Sequence, residues 1–194
     1  RHDQGTPVIE DHIQKLCDRI RGKNLHAGVE PGRSIVASAG ALVARVLYRK
    51  KSGDKDFVIV DAAMNDLIRP ALYQAHHEIL PLRKSDAPSI RADIVGPVCE
   101  TGDFLARDRE MAEVMPGDVL AVCTAGAYGF AQASTYNARP LPAEVLLDEG
   151  EIHQANMDAA RGAQRSAGRD VQFAAETIHM LFGDRMTVKA IIAQ

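Results

Sequence analysis

Ala41-Leu42-Val43-Ala44-Arg45-Val46-Leu47-Tyr48, then Lys50-Lys51-Ser52-Gly53-Asp54-Lys55-Asp56, then Phe57-Val58-Ile59-Val60 is the stretch that decides the fold class. Its first and last pieces are β-branched or aromatic runs of strand length, and the charged piece between them reads as a hairpin loop. Similar runs surround it: Ile35-Val36 upstream, and Ile90 to Val95 and Asp118 to Val122 downstream. Met115-Pro116-Gly117-Asp118 and Gly126-Ala127-Tyr128-Gly129 are turn signals between such runs. Short strands at this spacing predict an antiparallel sandwich or barrel. Asp66 to His77 reads as a short helix with Pro70 in its first turn, where no N–H partner is lost. Tyr136 to Leu147 is a loop, with prolines at 140 and 142, that leads into a strand.

Both flanks differ from this centre. Val8, Ile9, Ile13, Leu16, Cys17 and Ile20 fall at steps of three and four, which predicts a helix from Pro7 to Ile20. Arg21-Gly22-Lys23-Asn24 stops it, and Leu25 to Glu30 reads as a short strand ending at the turn dipeptide Pro31-Gly32. At the other end, Gly150 to Gln194 is Ala- and Arg-rich. Val171, Ala174, Ala175, Ile178 and Leu181 keep helical spacing, Gly183 stops that helix, and Met186 to Ile192 reads as a last strand.

Composition excludes several classes. The chain of 194 residues is 46% hydrophobic and 25% charged, as in a globular protein able to bury a core. Its net charge of −3 speaks against a broad surface for nucleic acid or anionic membrane. No apolar run approaches the ~20 residues that span a bilayer, and the first residues carry no signal-peptide pattern. Three cysteines, Cys17, Cys99 and Cys123, form neither an even set nor a metal-like spacing. A reduced, cytoplasmic chain is the expectation, with Cys17 and Cys123 as core residues. His76-His77 point apart, and His153 and His179 lack companions, so no metal site is expected.

Some loops carry chemistry-bearing residues. Glu30-Pro31-Gly32-Arg33 offers free N–H groups and a guanidinium to a phosphate or carboxylate; it reads equally as a strand end with a solvated arginine. Arg69 and Tyr73, four apart on one helical face, suit a carboxylate, or are simply exposed. Cys99 beside Glu100 in a Gly/Pro-bounded loop suits a proton donor or nucleophile, although free cysteines are more often inert. Tyr128 between two glycines allows a backbone to approach a flat ligand, and also reads as a packed turn.

Taken in order, these segments closely resemble one family. They are Glu30-Pro31-Gly32-Arg33-Ser34-Ile35-Val36; Val60 to Tyr73 with Met64-Asn65-Asp66-Leu67-Ile68-Arg69-Pro70; Gly96-Pro97-Val98-Cys99-Glu100-Thr101-Gly102-Asp103; Ala125 to Phe130; and Tyr136-Asn137-Ala138-Arg139-Pro140 with Pro142-Ala143-Glu144-Val145-Leu146. From about Thr6 to Leu147 the chain resembles the C-terminal half of bacterial diaminopimelate decarboxylase, which uses pyridoxal 5'-phosphate to convert meso-diaminopimelate to L-lysine. The resemblance implies a mostly β chain with α+β character. Residues 1–33 would be the last helix and strand of a (β/α)8 barrel, 34–149 a β-sandwich or Greek-key barrel domain, and 150–194 an unassigned, mainly helical tail.

The resemblance also implies roles. Glu30, Pro31, Gly32 and Arg33 would lie near the cofactor phosphate, with Arg33 also on the substrate. Arg69 and Tyr73 would hold a substrate carboxylate, and Tyr128 would contact cofactor and substrate. Cys99 would return a proton after CO2 leaves, and Glu100 would bind the distal ammonium, both donated across a homodimer interface. The family's cofactor lysine sits in a Tyr-Ala-Val-Lys-Ala-Asn context that none of the lysines at 15, 23, 50, 51, 55, 84 and 189 matches in full. The 194 residues alone are therefore expected to be inactive and prone to associate. Other readings are a non-catalytic β-domain completing another chain's site, and a decarboxylase of ornithine or arginine. Cys99-Glu100-Thr101-Gly102-Asp103 with the Met64 to Pro70 segment favours diaminopimelate.

Overall fold

The computed structural model describes residues 8–83, 86–148, 151–154 and 188–192, in two units divided between Pro31 and Gly32. The first holds helix α1 (Ile9–Ile20), with Glu10 and Asp11 in its first turn and Arg19 in its last, charges that complement the helix dipole. It buries none of its residues, so Cys17 is exposed rather than in a core. Leu25 to Glu30 is not a strand. A strand exists through its ladder, and nothing pairs with this segment among the described residues.

The second unit runs α2 (Arg33–Val36), β1 (Gly40–Ser52), β2 (Lys55–Val60), α3 (Arg69–Tyr73), β3 (Ile79–Pro81), β4 (Ser89–Val95), β5 (Phe104–Ala112), β6 (Val119–Val122), β7 (Ala143–Asp148), β8 (Glu151–Gln154) and β9 (Val188–Ile192). Ile35-Val36, expected as strand, is helical. The N–H of Ile35 bonds the carbonyl of Gly32 at 3.0 Å and that of Ala37 bonds Arg33 at 2.9 Å, and two β-branched residues are too few to override such local bonds. The β1–β2 hairpin forms, but its strands run on to Ser52 and Lys55, leaving a tighter turn than the charge run suggested. The expected helix after Asp66 shortens to α3, with Pro70 at its start. The residues read as a helix around Val171 to Leu181 lie outside the described residues.

The sheet is nearly closed and barrel-like, ordered β5-β4-β2-β1-β9-β7-β8, with β6 bridging β1 and β3. Among the described residues two pairings are parallel, β2 with β4 and β1 with β9. β1 organises the rest. Leu42 to Arg45 pair with β6, Gly40 to Val43 with β9, and Val46 and then Tyr48 to Ser52 with β2, with an irregularity between Val46 and Tyr48. Such a bulge bends a strand, which lets one strand serve both halves of the sheet. Leu42, Ala44 and Val46 alternate into a core with Val58, Val60, Ile94, Leu105, Leu120, Val122 and Ile191.

Candidate functional site

The turn after β6 is built for close approach. A Cβ on Gly126 would run into the carbonyl oxygen of Val36 and lie 2.9 Å from the Gly40 nitrogen; one on Gly129 would sit 2.6 Å from Cδ1 of Ile191. The turn is thus pressed against the end of α2 and against β9. Between those glycines Tyr128 adopts φ +61°, a left-handed conformation uncommon for a bulky residue, with its ring 45% exposed. Strain of this kind, about 1–3 kcal/mol, persists where surrounding contacts enforce it. The half-buried Arg69 of α3 lies over that ring at 5.5 Å and over Tyr73 at 5.9 Å. One guanidinium flanked by two phenols is therefore presented outward, a donor set for an anion beside a flat aromatic surface.

A second cluster lies on the loop between β4 and β5. Cys99 and Glu100 are both exposed. Glu100 accepts from the Tyr136 hydroxyl at 3.2 Å and from the Gly102 N–H at 3.3 Å. That hydrogen bond, the charge of Glu100 and the nearby Cys99 thiol hold the Tyr136 phenol above its ordinary range.

Both clusters stand on buried polar groups in residues 61–66. Asp103 accepts from the Met64 and Val98 N–H groups, both at 2.7 Å. Asp66 accepts from the Ala63 N–H at 2.8 Å and from the Asn65 amide at 3.0 Å. Arg139 donates to the Asp61 carbonyl at 2.6 Å and lies 3.8 Å from the Asp66 carboxylate. Burial pushes Asp66 up to about 6 against the pull of its Ala63 hydrogen bond and of Arg139. Asp61 and Asp103 are raised by the same cause. His77, which follows α3 in the chain, shares its Nδ1 proton with the Cys123 carbonyl at 2.8 Å, and burial lowers its pKa.

The expected site residues fall into these groups. Arg69, Tyr73 and Tyr128 come together, and Cys99 and Glu100 share one exposed loop. Gly32 precedes α2 and Arg33 opens it; the far end of that helix meets the Tyr128 turn, where the Gly126 N–H bonds the Ala37 carbonyl at 3.0 Å. Glu30 and Pro31 belong to the first unit, where both are exposed. Cys123 is buried, as its strand setting suggested. Sequence reasoning did not single out Tyr136, Arg139, Asp66 and Asp103, which the structure ties to these clusters, although all four stand inside quoted motifs. Their partners are distant backbone groups, which no spacing reveals.

Comparison with known proteins places the chain. Residues 10–126 match the family described as the pyridoxal-dependent decarboxylase C-terminal sheet domain. The chain is 54% identical over 152 residues to the diaminopimelate decarboxylase of Pseudomonas aeruginosa, covering 78% of this chain and 36% of that protein. A crystal structure from Aquifex aeolicus superposes with a TM-score of 0.74 at 44% identity, over 87% of this chain and 42% of that one. Diaminopimelate decarboxylase from Helicobacter pylori complexed with L-lysine does so with a TM-score of 0.69 at 40% identity, over 84% and 41%. The chain spans about a third of the length of the curated relatives it matches. It belongs to the pyridoxal-dependent decarboxylase C-terminal sheet domain family.

Proposed function

We propose, from that membership, that these residues form the substrate-gripping portion of a decarboxylase that converts meso-diaminopimelate to L-lysine. The observation that carries the reading is the stacking of Arg69 between Tyr73 and Tyr128. The donor set fits the implied cofactor and substrate: a guanidinium for an anionic group, phenol hydroxyls as further donors, and an exposed ring beside a flat heterocycle. Arg33, with Glu30, Pro31 and Gly32, would complete the phosphate and substrate side. Pyridoxal phosphate, when bound, supplies the electron sink for the pair left behind as CO2 departs.

The chain's own residues supply the rest. Arg69 and Tyr73 fix one carboxylate, so that a second, at the reacting carbon, is the one lost. Glu100 places a negative charge where the distal ammonium of a diamino diacid needs one. Cys99 delivers the proton: the C–C bond to CO2 breaks, a C–H bond forms with the proton from Sγ, and solvent reprotonates the exposed sulfur. Exposure of both Cys99 and Glu100 supports their use across the interface of a homodimer. Three free cysteines support a reducing, cytoplasmic setting.

The test is a graft of these residues onto the barrel portion of the Pseudomonas aeruginosa relative. The graft is expected to release CO2 from meso-diaminopimelate and form L-lysine. Arg69→Ala should lower kcat/KM by about a hundredfold, the loss of a bidentate charged contact. A graft that binds pyridoxal phosphate yet turns over ornithine in preference would overturn the substrate assignment.

A further inference from the structure

Glu100 is exposed on a loop, where a glutamate ordinarily samples many rotamers, yet both of its carboxylate oxygens are engaged. Oε1 accepts from the Gly102 N–H at 3.3 Å and Oε2 from the Tyr136 hydroxyl at 3.2 Å. The phenol comes from a different part of the chain, so the contact carries information only if both loops share a common base. They do. The Glu100 loop is tied down where Asp103 receives the Met64 N–H at 2.7 Å.

The Tyr136 turn is tied to the same segment from both sides. Before it, the Ser134 N–H bonds the Asn65 carbonyl at 2.9 Å, and the Asn65 amide bonds the Ser134 carbonyl at 3.3 Å. After it, Arg139 donates to the Asp61 carbonyl. In between, Asn137 and Ala138 are held at φ +60° and +56°, a conformation that fixes the direction in which Tyr136 leaves the turn.

We propose that Tyr136 is a positioning residue that holds Glu100 in one orientation beside Cys99. The inference rests on the reading of Glu100 as the counter-charge for the substrate ammonium. A phenol donates but adds no charge, so it orients the carboxylate without a counter-charge, and the remaining lone pairs point one way. With its pKa raised by Glu100, Tyr136 remains a donor throughout the neutral range. Removing the hydroxyl should cost substrate binding and leave the proton transfer at Cys99 largely intact.

Two measurements test it. In the grafted holoenzyme, Tyr136→Phe is expected to raise KM for meso-diaminopimelate about tenfold, a charge-assisted hydrogen bond discounted for its exposure, with kcat within about twofold. In a Glu100→Gln background the same change should add nothing. An unchanged KM would overturn the proposal, and so would a loss of kcat and KM together with thermal stability, which marks a merely structural tyrosine. The second measurement needs no turnover. Ultraviolet titration of the chain's four tyrosines should show one ionising above the others, and Glu100→Gln should return it to the ordinary range. Should the unsubstituted graft fail to decarboxylate meso-diaminopimelate, the functional reading fails while the titration still decides the clamp. A high-pKa tyrosine lost in Glu100→Gln upholds the clamp, and a titration unchanged by that substitution overturns it.

Discussion

Asp66 and Tyr73 lie on one short segment, yet the first is 1% exposed and the second 59%. The contrast runs through the whole site. Asp61, Asn65, Asp66, Asp103 and Arg139 spend their hydrogen bonds mainly on the chain itself, largely on backbone groups. Arg69 is half-buried against the exposed rings of Tyr73 and Tyr128, and Cys99 and Glu100 are exposed on their loop. A buried seat therefore sets the geometry and, on the proposed reading, an exposed rim does the chemistry. Substitutions in the seat should register as stability and those in the rim as binding.

The seat breaks hardest at Gly126. A methyl there meets backbone atoms of Val36 and Gly40 that cannot swing aside, so Gly126→Ala should destabilise by about 3–5 kcal/mol or prevent folding. Denaturant unfolding checks this, and a wild-type midpoint would show that the turn is not pressed against α2. Next comes Asp103→Ala. It strands the N–H groups of Met64 and Val98 beside a buried gap, with an expected loss of about 3 kcal/mol in the same assay.

A subtler distinction comes from pH. Asp66, pushed up to about 6, binds its proton more tightly in the folded chain than its ordinary value of 3.8 allows in the unfolded one. Its contribution to stability is full below 3.8 and is lost as pH rises toward 6. Asp61 and Asp103 act in the same direction. His77, with a lowered pKa, acts oppositely: its contribution is full above about 6.5 and is lost as pH falls below that value. The two effects offset each other in the native chain. Asp66→Asn should therefore lose stability on acidification from about pH 7 to 5 more steeply than the native chain, and His77→Asn should gain relative to it. Unfolding midpoints across that range decide, and parallel curves for all three would refute the assignment.

The smallest stability effect belongs to the rim. Tyr73→Phe should move the unfolding free energy by less than about 0.5 kcal/mol, because the hydroxyl is exposed. In the grafted enzyme the same change should weaken substrate binding severalfold. A substantial loss of stability would place Tyr73 with the seat.

How far all this was legible in the sequence follows the same division. The β1–β2 hairpin was visible because strand periodicity and a turn signal agreed. β5 was not: Arg107-Asp108-Arg109-Glu110 is charged throughout and interrupts any apolar alternation, and only the structure shows Leu105 and Met111 turned inward, with Asp108 at φ +50° between them. β3 is three residues and ends in a proline, too short for any period to register. Among the expected site residues, Arg69, Tyr73, Cys99 and Glu100 could be singled out because exposed chemistry sits in recognisable local order. Asp66, Asp103 and Arg139 escaped because a buried carboxylate is defined by what surrounds it, and those surroundings come from remote segments.

β9 has a consequence for how the molecule is made. It lies parallel to Gly40–Val43 and antiparallel to β7, so two strands emerging much earlier from the ribosome lack this neighbour until Val188–Ile192 is synthesised. During that interval their backbone edges can recruit a wrong partner, including another nascent copy. Ile191 then arrives beneath the Tyr128 turn, so that turn gains its support only once Val188–Ile192 has joined the sheet.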